Sequence, residues 1–293
     1  MILPAVDVVV IGDALLDVTA RPDGRIRSGA DVPADVRLTP GGQGANLAVR
    51  LARQGASVEL VCGLGADSAA TLVADALRAE GVRLSPRTVS ATGTVVIVLD
   101  RAGERTMLSQ RTAFGSLVDV ERLRTPFWVV ISGYLLLEPD ASAFAAAIAE
   151  VPARRAIVGC AVPEPALAAW RSAATTARPH LLILNRDEAG ALDSAQGIAA
   201  GSVVTGADFV DASIGDVRVR MPVPRAVAAV DTTGAGDAFA ASLVASQLHA
   251  PWPPSAGRLE SALAAAMTLA AEVAQVRGAQ ARVLAEAAAT LGA

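Results

Sequence analysis

The string Asp231-Thr232-Thr233-Gly234-Ala235-Gly236-Asp237 runs straight into an apolar helical stretch, and it constrains this chain more than any other feature. Gly234 and Gly236 let the backbone turn tightly and approach a ligand closely. The amides of Ala235, Gly236 and Asp237 then stand without helical partners at a helix N-terminus, where the macrodipole favours an anion. Asp237 brings a carboxylate to the same place. A carboxylate beside an anion hole repels the anion unless it has its own task. Accepting the proton of a hydroxyl that attacks a phosphoryl group is such a task. For a lone string of this kind, a turn capped by Asp237 is the plainer reading.

Three further strings accompany it. Gly41-Gly42-Gln43-Gly44-Ala45-Asn46 opens a run with apolar residues at Leu47, Val49, Leu51 and Ala52, stopped by Gly55. That is a glycine-rich turn leading into a helix. Gly42 and Gly44 keep side chains away from a small polar ligand, and Asn46 offers both a donor and an acceptor to hydroxyls. Val6 to Ile11 reads as a buried strand and ends at Gly12-Asp13-Ala14-Leu15-Leu16-Asp17. Acids at the carboxyl edge of a strand lie where ligands collect in α/β sheets. Asp13 reads as a turn or cap residue. Asn185-Arg186-Asp187-Glu188 follows the strand Leu181 to Leu184, and by itself reads as a helix start.

Composition removes rival chemistries. All 25 Lys and Arg residues are arginine. A Walker-type phosphate loop and a Schiff-base enzyme both need a lysine, so neither applies. No G-x-G-x-x-G follows the first strand, which removes the dinucleotide-binding fingerprint. Cys62, Cys160, His180 and His249 are too few and too scattered for a zinc site or a disulfide framework. The cysteines read as buried thiols and the histidines as structural or surface residues. A net charge of −4 and only three Trp, one Tyr and five Phe give no basis for nucleic-acid binding. No apolar run reaches the roughly 18 residues of a membrane span, and Leu259 to Val276 is interrupted by Glu260 and Glu272. The N-terminus shows no basic leader or cleavage pattern, so a soluble, cytoplasmic protein is expected.

Val58 to Cys62 reads as a strand and Ser68 to Ala79 as a helix ending near Gly81. Thr94 to Leu99 and Arg105 to Leu108 form a hairpin around 101–104. Beyond it, strand and helix alternate: Trp128 to Ser132, Ala141 to Glu150, Ala156 to Cys160, Pro165 to Thr176, Leu181 to Leu184. Such alternation builds a parallel sheet flanked by helices.

The four strings, in this order and over nearly the whole chain, resemble the PfkB (ribokinase-like) family of carbohydrate kinases. The resemblance implies a three-layer α/β/α sandwich with a mainly parallel central sheet and a small β-sheet lid. Residues 1–293 would form one kinase domain, with the lid built from about 18–40 and 92–112. The implied reaction is ATP-dependent phosphorylation of a primary hydroxyl of a small sugar or sugar derivative. Asp237 would be the general base, with Gly234, Ala235 and Gly236 completing the anion hole. Asp17, five residues after Gly12, would hold two sugar hydroxyls, together with Gly41, Gly42, Gln43 and Asn46. ATP would meet Asn185, Thr205, Gly206, Gly234, Gly236 and Gly278, and Glu188 would hold Mg²⁺ through water. Asp231 and the Thr233 carbonyl match a potassium site of the family, unless the guanidinium of Arg282 replaces the ion.

Two departures from the family stand out. Only sixteen residues separate Glu188 from Thr205, and Gln43 stands where related ribokinases commonly carry lysine. A neutral amide suits a neutral sugar; an acidic one would need Arg105 or Arg111 reaching in from the lid. A nucleoside kinase of the same family would stack its base on aromatics, for which Phe114 is the only candidate near the lid. A catalytically weak sugar-binding regulator is the non-enzymatic alternative. Thr94, Val96 and Val98 alternate with Val95, Ile97 and Leu99, so both lid faces are apolar, which predicts a homodimer through the lid.

Overall fold

The computed structural model describes residues 6–100, 104–115, 118–123, 126–224 and 230–280. The first half of the chain contains β1 (Val8–Ile11), β2 (Leu15–Pro22), β3 (Ala34–Gly41), α1 (Gln43–Arg53), β4 (Val58–Leu64), α2 (Ser68–Ala79), β5 (Arg83–Thr88), β6 (Thr94–Leu99) and β7 (Arg105–Gln110). The second half contains β8 (Trp128–Ser132), α3 (Ala141–Ala149), β9 (Arg154–Val158), α4 (Leu167–Thr176), β10 (Leu181–Asn185) and α5 (Arg186–Ala191). It ends with β11 (Gly201–Thr205), β12 (Phe209–Ile214), β13 (Val217–Pro222), α6 (Ala235–Ala245) and α7 (Ala256–Val273).

The larger sheet has nine strands in the order β13-β12-β11-β10-β9-β8-β1-β4-β5. From β11 to β5 all neighbours are parallel; β12 and β13 add an antiparallel hairpin on one edge. The central strands are continuous apolar runs because helices cover both faces. Their side chains alternate between two cores. Val8, Val10, Leu60 and Ile183 pack with α1, α2, α6 and α7, while Val9, Ile11, Val61 and Leu182 pack with α3 and α4. Leu47 and Leu51 anchor α1 in the first core and are fully buried. Truncating either to Ala would cost about 2–5 kcal/mol. Cys62 and Cys160 are buried free thiols, as expected, and burial pushes both up to about 12.

The smaller sheet has the order β3-β2-β6-β7, with β2 antiparallel to β3 and parallel to β6, and β6 antiparallel to β7. The chain crosses from β1 into it over Gly12 to Ala14 and returns at Gly41. Its strands therefore begin at Leu15, earlier than residue 18. The hairpin turn expected at 101–104 lies mostly outside the described residues, as does Arg282. Four strands had no counterpart in the sequence reading: β5, β11 and the β12–β13 hairpin. Among the described residues, no helix is long and apolar enough to cross a membrane.

Candidate active site

Helix α1 carries a polar stripe at Gln43, Asn46, Arg50 and Arg53, spaced so that all four lie on one face. Gln43 Oε1 accepts from Ser132 Oγ at 2.7 Å and the Gly133 amide at 3.1 Å, while its Nε2 donates to the Gly159 carbonyl at 2.7 Å. Asn46 Nδ2 donates to Asp237 Oδ2 at 2.8 Å, and its Oδ1 accepts from Gln280 Nε2 at 3.0 Å. Arg50, fully buried, donates to the Ala279 carbonyl at 2.6 Å. Arg53 donates to the Gln280 carbonyl at 2.7 Å and pairs with Glu80 at 2.9 Å. One helix thus touches residues 159, 237, 279 and 280. Gln43 and Asn46, expected to hold sugar, have both ends of their amides engaged by protein.

The turn that starts α1 needs its glycines. Gly42 has φ +95°, and a Cβ on Gly41 would lie 2.1 Å from Asp17 Oδ2. Gly234, at the start of α6, has φ +78° and leaves room for Ala279 only because it lacks a side chain. The Ala235 amide, expected to be a free donor, instead closes this turn on the Thr232 carbonyl at 3.2 Å. The amides of Gly236 and Asp237 have no hydrogen-bond partner among the described residues. Burial pushes the Asp237 carboxyl up to about 7; Asn46 and Arg50 oppose this, while Asp13 and Glu188 add to it.

Asp17 lies on β2, inside the smaller sheet rather than at the edge of β1. Burial pushes its carboxyl up to about 6, with Asp13 adding and Arg111 opposing. Asp13 is a turn residue, as expected: its carbonyl accepts from the Ala45 amide at 3.0 Å and its Oδ1 from the Gly44 amide at 3.3 Å. It is also the charge that Asp17, Asp237 and Glu138 all feel. Arg111, just after β7, pairs with Asp13 and lies over the Tyr134 ring, 3.7 Å from its centroid. Asp13, Leu15, Arg111, Phe114, Tyr134 and Glu138 line a cavity of about 210 Å³. A larger cleft of about 870 Å³ lies between Asp17, Thr19 and Ile97 of the small sheet and Asp231, Thr233 and Gly278 of the body. Phe114 touches the smaller cavity but is 3% exposed and packed into the second core.

The Asn185–Glu188 pair is a helix cap. Asn185 Oδ1 accepts from the Glu188 amide at 2.8 Å, and Glu188 Oε2 accepts from the Asn185 amide at 2.9 Å. Burial raises the Glu188 carboxyl, and its charge adds to the upward shift of Asp237. Thr205 donates its hydroxyl to the Leu184 carbonyl at 3.3 Å, and the Arg186 guanidinium lies against Gly206. The Gly278 amide donates to Asp231 Oδ2 at 3.0 Å, and the Thr233 amide to Asp231 Oδ1 at 2.9 Å. Arg105, at the start of β7, donates to the Thr233 hydroxyl and lies 3.6 Å from Asp231.

Among the described residues, no three His, Cys, Asp or Glu side chains are arranged to hold a metal by themselves. The donor set suits Mg²⁺ brought in by phosphate oxygens, since that ion keeps several waters and needs only one or two carboxylates. Arg50, Tyr134 and Glu138 escaped the sequence reading, whereas Gln280, which ends the 275–280 string resembling the family's adenine-side segment, holds Asn46. Arg50 carried a readable signal: it lies four residues after Asn46, in phase with Gln43 and Arg53.

A family model described as pfkB family carbohydrate kinase matches residues 5–286. The chain is 28% identical over 300 residues to a fructokinase of Salmonella typhimurium, covering 92% of this chain and 94% of that protein. The crystal structure of a ribokinase from Thermotoga maritima has a TM-score of 0.79 at 21% identity, covering 98% of this chain and 100% of that one. A ribokinase of Arabidopsis thaliana complexed with ribose and ATP has a TM-score of 0.78 at 22% identity, covering 98% of each chain. These solved structures share the two-sheet architecture. Because the family match extends over nearly all of the sequence, the chain belongs to the pfkB family of carbohydrate kinases.

Proposed function

We propose that this kinase transfers the γ-phosphoryl group of ATP to a primary hydroxyl of a small neutral sugar. The observation that carries the reading is Asp237: a carboxyl pushed up to about 7, at the start of α6, beside two unpartnered amides. A base titrating near neutrality combines a useful ionised fraction with proton affinity. Asp237 takes the hydroxyl proton as the sugar oxygen attacks phosphorus and the bond to ADP breaks. The Gly236 and Asp237 amides, with the α6 dipole, face the charge on the transferring oxygens. Mg²⁺, when bound with ATP, would supply charge neutralisation on the phosphates, and Glu188 would hold one of its waters.

The sugar lies between the small sheet and the turn at 41–46, with Asp17 accepting from vicinal hydroxyls. Asn46 acts on the base and Gln43 on the pocket wall rather than as ligands. Asp13, Asp17 and Asp237 make this region acidic, and Arg111 is already paired with Asp13, which disfavours acidic sugars. The names of the fructokinase and ribokinase relatives agree with a neutral substrate. ATP approaches from Asn185, Thr205 and Gly206, and such a protein would work in the cytoplasm.

The outer face of the lid supports a homodimer. Strand register places Leu38, Val18, Val96 and Leu108 in one row across all four strands. Leu38 and Leu108 are 52% and 63% exposed. A second copy of this face would cover them.

The test is ADP release with fructose, ribose, sugar acids and nucleosides, paired with thermal shifts. Release with a neutral sugar supports the reading. Turnover of nucleosides alone makes it a nucleoside kinase, and sugar-induced stabilisation without ADP release makes it a binding regulator.

A further inference from the structure

Asp231 and Thr233 match a potassium site by sequence, but the residues around them do not suit a second positive charge. Both Asp231 oxygens already accept backbone amides, from Thr233 and Gly278. The guanidinium of Arg105 faces the same carboxylate at 3.6 Å and hydrogen-bonds the Thr233 hydroxyl. A metal cation there would sit within a few ångströms of a fixed like charge. The Asp231 carboxylate is already compensated by two amides and a guanidinium.

Where that charge comes from matters. Arg105 belongs to the lid: it opens β7 and pairs with Leu99 of β6. Just before it, the Asp100 amide donates to the Glu104 carbonyl at 3.0 Å and the Glu104 amide to the Asp100 carboxylate at 2.8 Å. Among the described residues, Arg105 is the lid side chain hydrogen-bonded to the 231–233 loop. Thr233 directly precedes Gly234, whose left-handed turn aims the α6 amides.

We propose that Arg105 is a positioning residue that replaces the monovalent cation and makes loop ordering depend on lid closure. Sugar draws the lid down, the guanidinium reaches Asp231 and Thr233, and the loop that faces the phosphoryl group becomes fixed and positively biased. The protein then has no use for potassium. This rests on the phosphoryl-transfer reading, but one arm of its test does not.

That arm is thermal melting in potassium chloride against tetramethylammonium chloride at equal ionic strength, because a bound ion stabilises the folded state by mass action. Wild type should melt alike in both. Arg105→Ala should melt lower in tetramethylammonium and gain from potassium, which can now enter. A potassium-specific rise in wild type overturns the proposal. In the kinetic arm, with fructose or ribose, Arg105→Ala should lose about tenfold or more in kcat, with little change in sugar KM. Added guanidinium ion should restore part of the loss, and Arg105→Lys should retain more activity than Arg105→Ala. Wild-type kcat in Arg105→Ala, or no guanidinium rescue, also overturns it. If neither sugar is turned over, the proposed function is what fails, and the melting arm still reads the cation site.

Discussion

Asn46 Nδ2 lies 2.8 Å from Asp237 Oδ2, and Gln280 fixes the other end of the same amide. The hydrogen bond sets the carboxylate's orientation and also lowers its proton affinity, since it favours the ionised form. Asp237 must be deprotonated to act, so activity should fall as pH drops through about 7. Asn46→Ala removes the donor, raises the pKa of the base and should shift the acid limb of the kcat/KM profile to higher pH. A profile that stays in place would show that Asn46 does not tune the base.

Asp237→Asn should lower kcat by about 10²–10⁴ while sugar binding persists. Retention of more than a tenth of wild-type kcat would remove Asp237 from the base role.

The same substitution has a stability signature. A carboxyl whose folded pKa is raised binds more protons folded than unfolded between its ordinary value and about 7. Its stability contribution is present at low pH and is lost as pH rises through about 7. Asp237→Asn has no such charge to bury. It should melt above wild type at pH 8, and the gap should shrink toward pH 5. Calorimetry at both values checks this; a constant gap contradicts it.

Asp17→Ala should raise the KM for sugar and leave that for ATP nearly unchanged. Each lost hydrogen bond to a charged acceptor is worth roughly 1.5–3 kcal/mol, or about ten- to a hundredfold in affinity. If sugar KM does not move, Asp13 becomes the better candidate ligand.

The two lid faces separate by mutation. Val95 and Ile97 are buried with Leu15 beneath the small sheet, whereas Val96 and Val98 point outward. Aspartate at both Val96 and Val98 should give monomers by light scattering. Aspartate at both Val95 and Ile97 should instead weaken sugar binding. Wild-type monomers at micromolar concentration would rule out the dimer.

What could be read before the structure was mostly local. Glycine-led helix starts, buried β-branched runs and the α2 boundaries follow from turn chemistry and periodicity, which need only neighbouring residues. β5 was missed because Arg83–Thr88 mixes Arg, Ser and Pro and owes its pairing to β4. The β12–β13 hairpin has polar residues on alternate positions and turns at Gly215 without a strong apolar run. At the site, residue types were legible but pairings were not. Asn46 has the chemistry to hold a sugar, yet α6 brings Asp237 to it across 191 positions. Arg111 meets Asp13 across 98 positions, a contact that neither motif contains. Asn185 and Glu188 form the capping box that the plainer of their two readings expects.

The polar stripe on α1 also bears on how such a chain can vary. Gln43, Asn46, Arg50 and Arg53 are held in phase by the helix alone, so inserting one residue between them would rotate those beyond it by about 100°. The contacts at Asp237, Ala279 and Gln280 would be lost together, although each partner is encoded more than 180 residues away. Loops tolerate changes of length, whereas the eleven residues of α1 behave as a ruler whose length cannot drift.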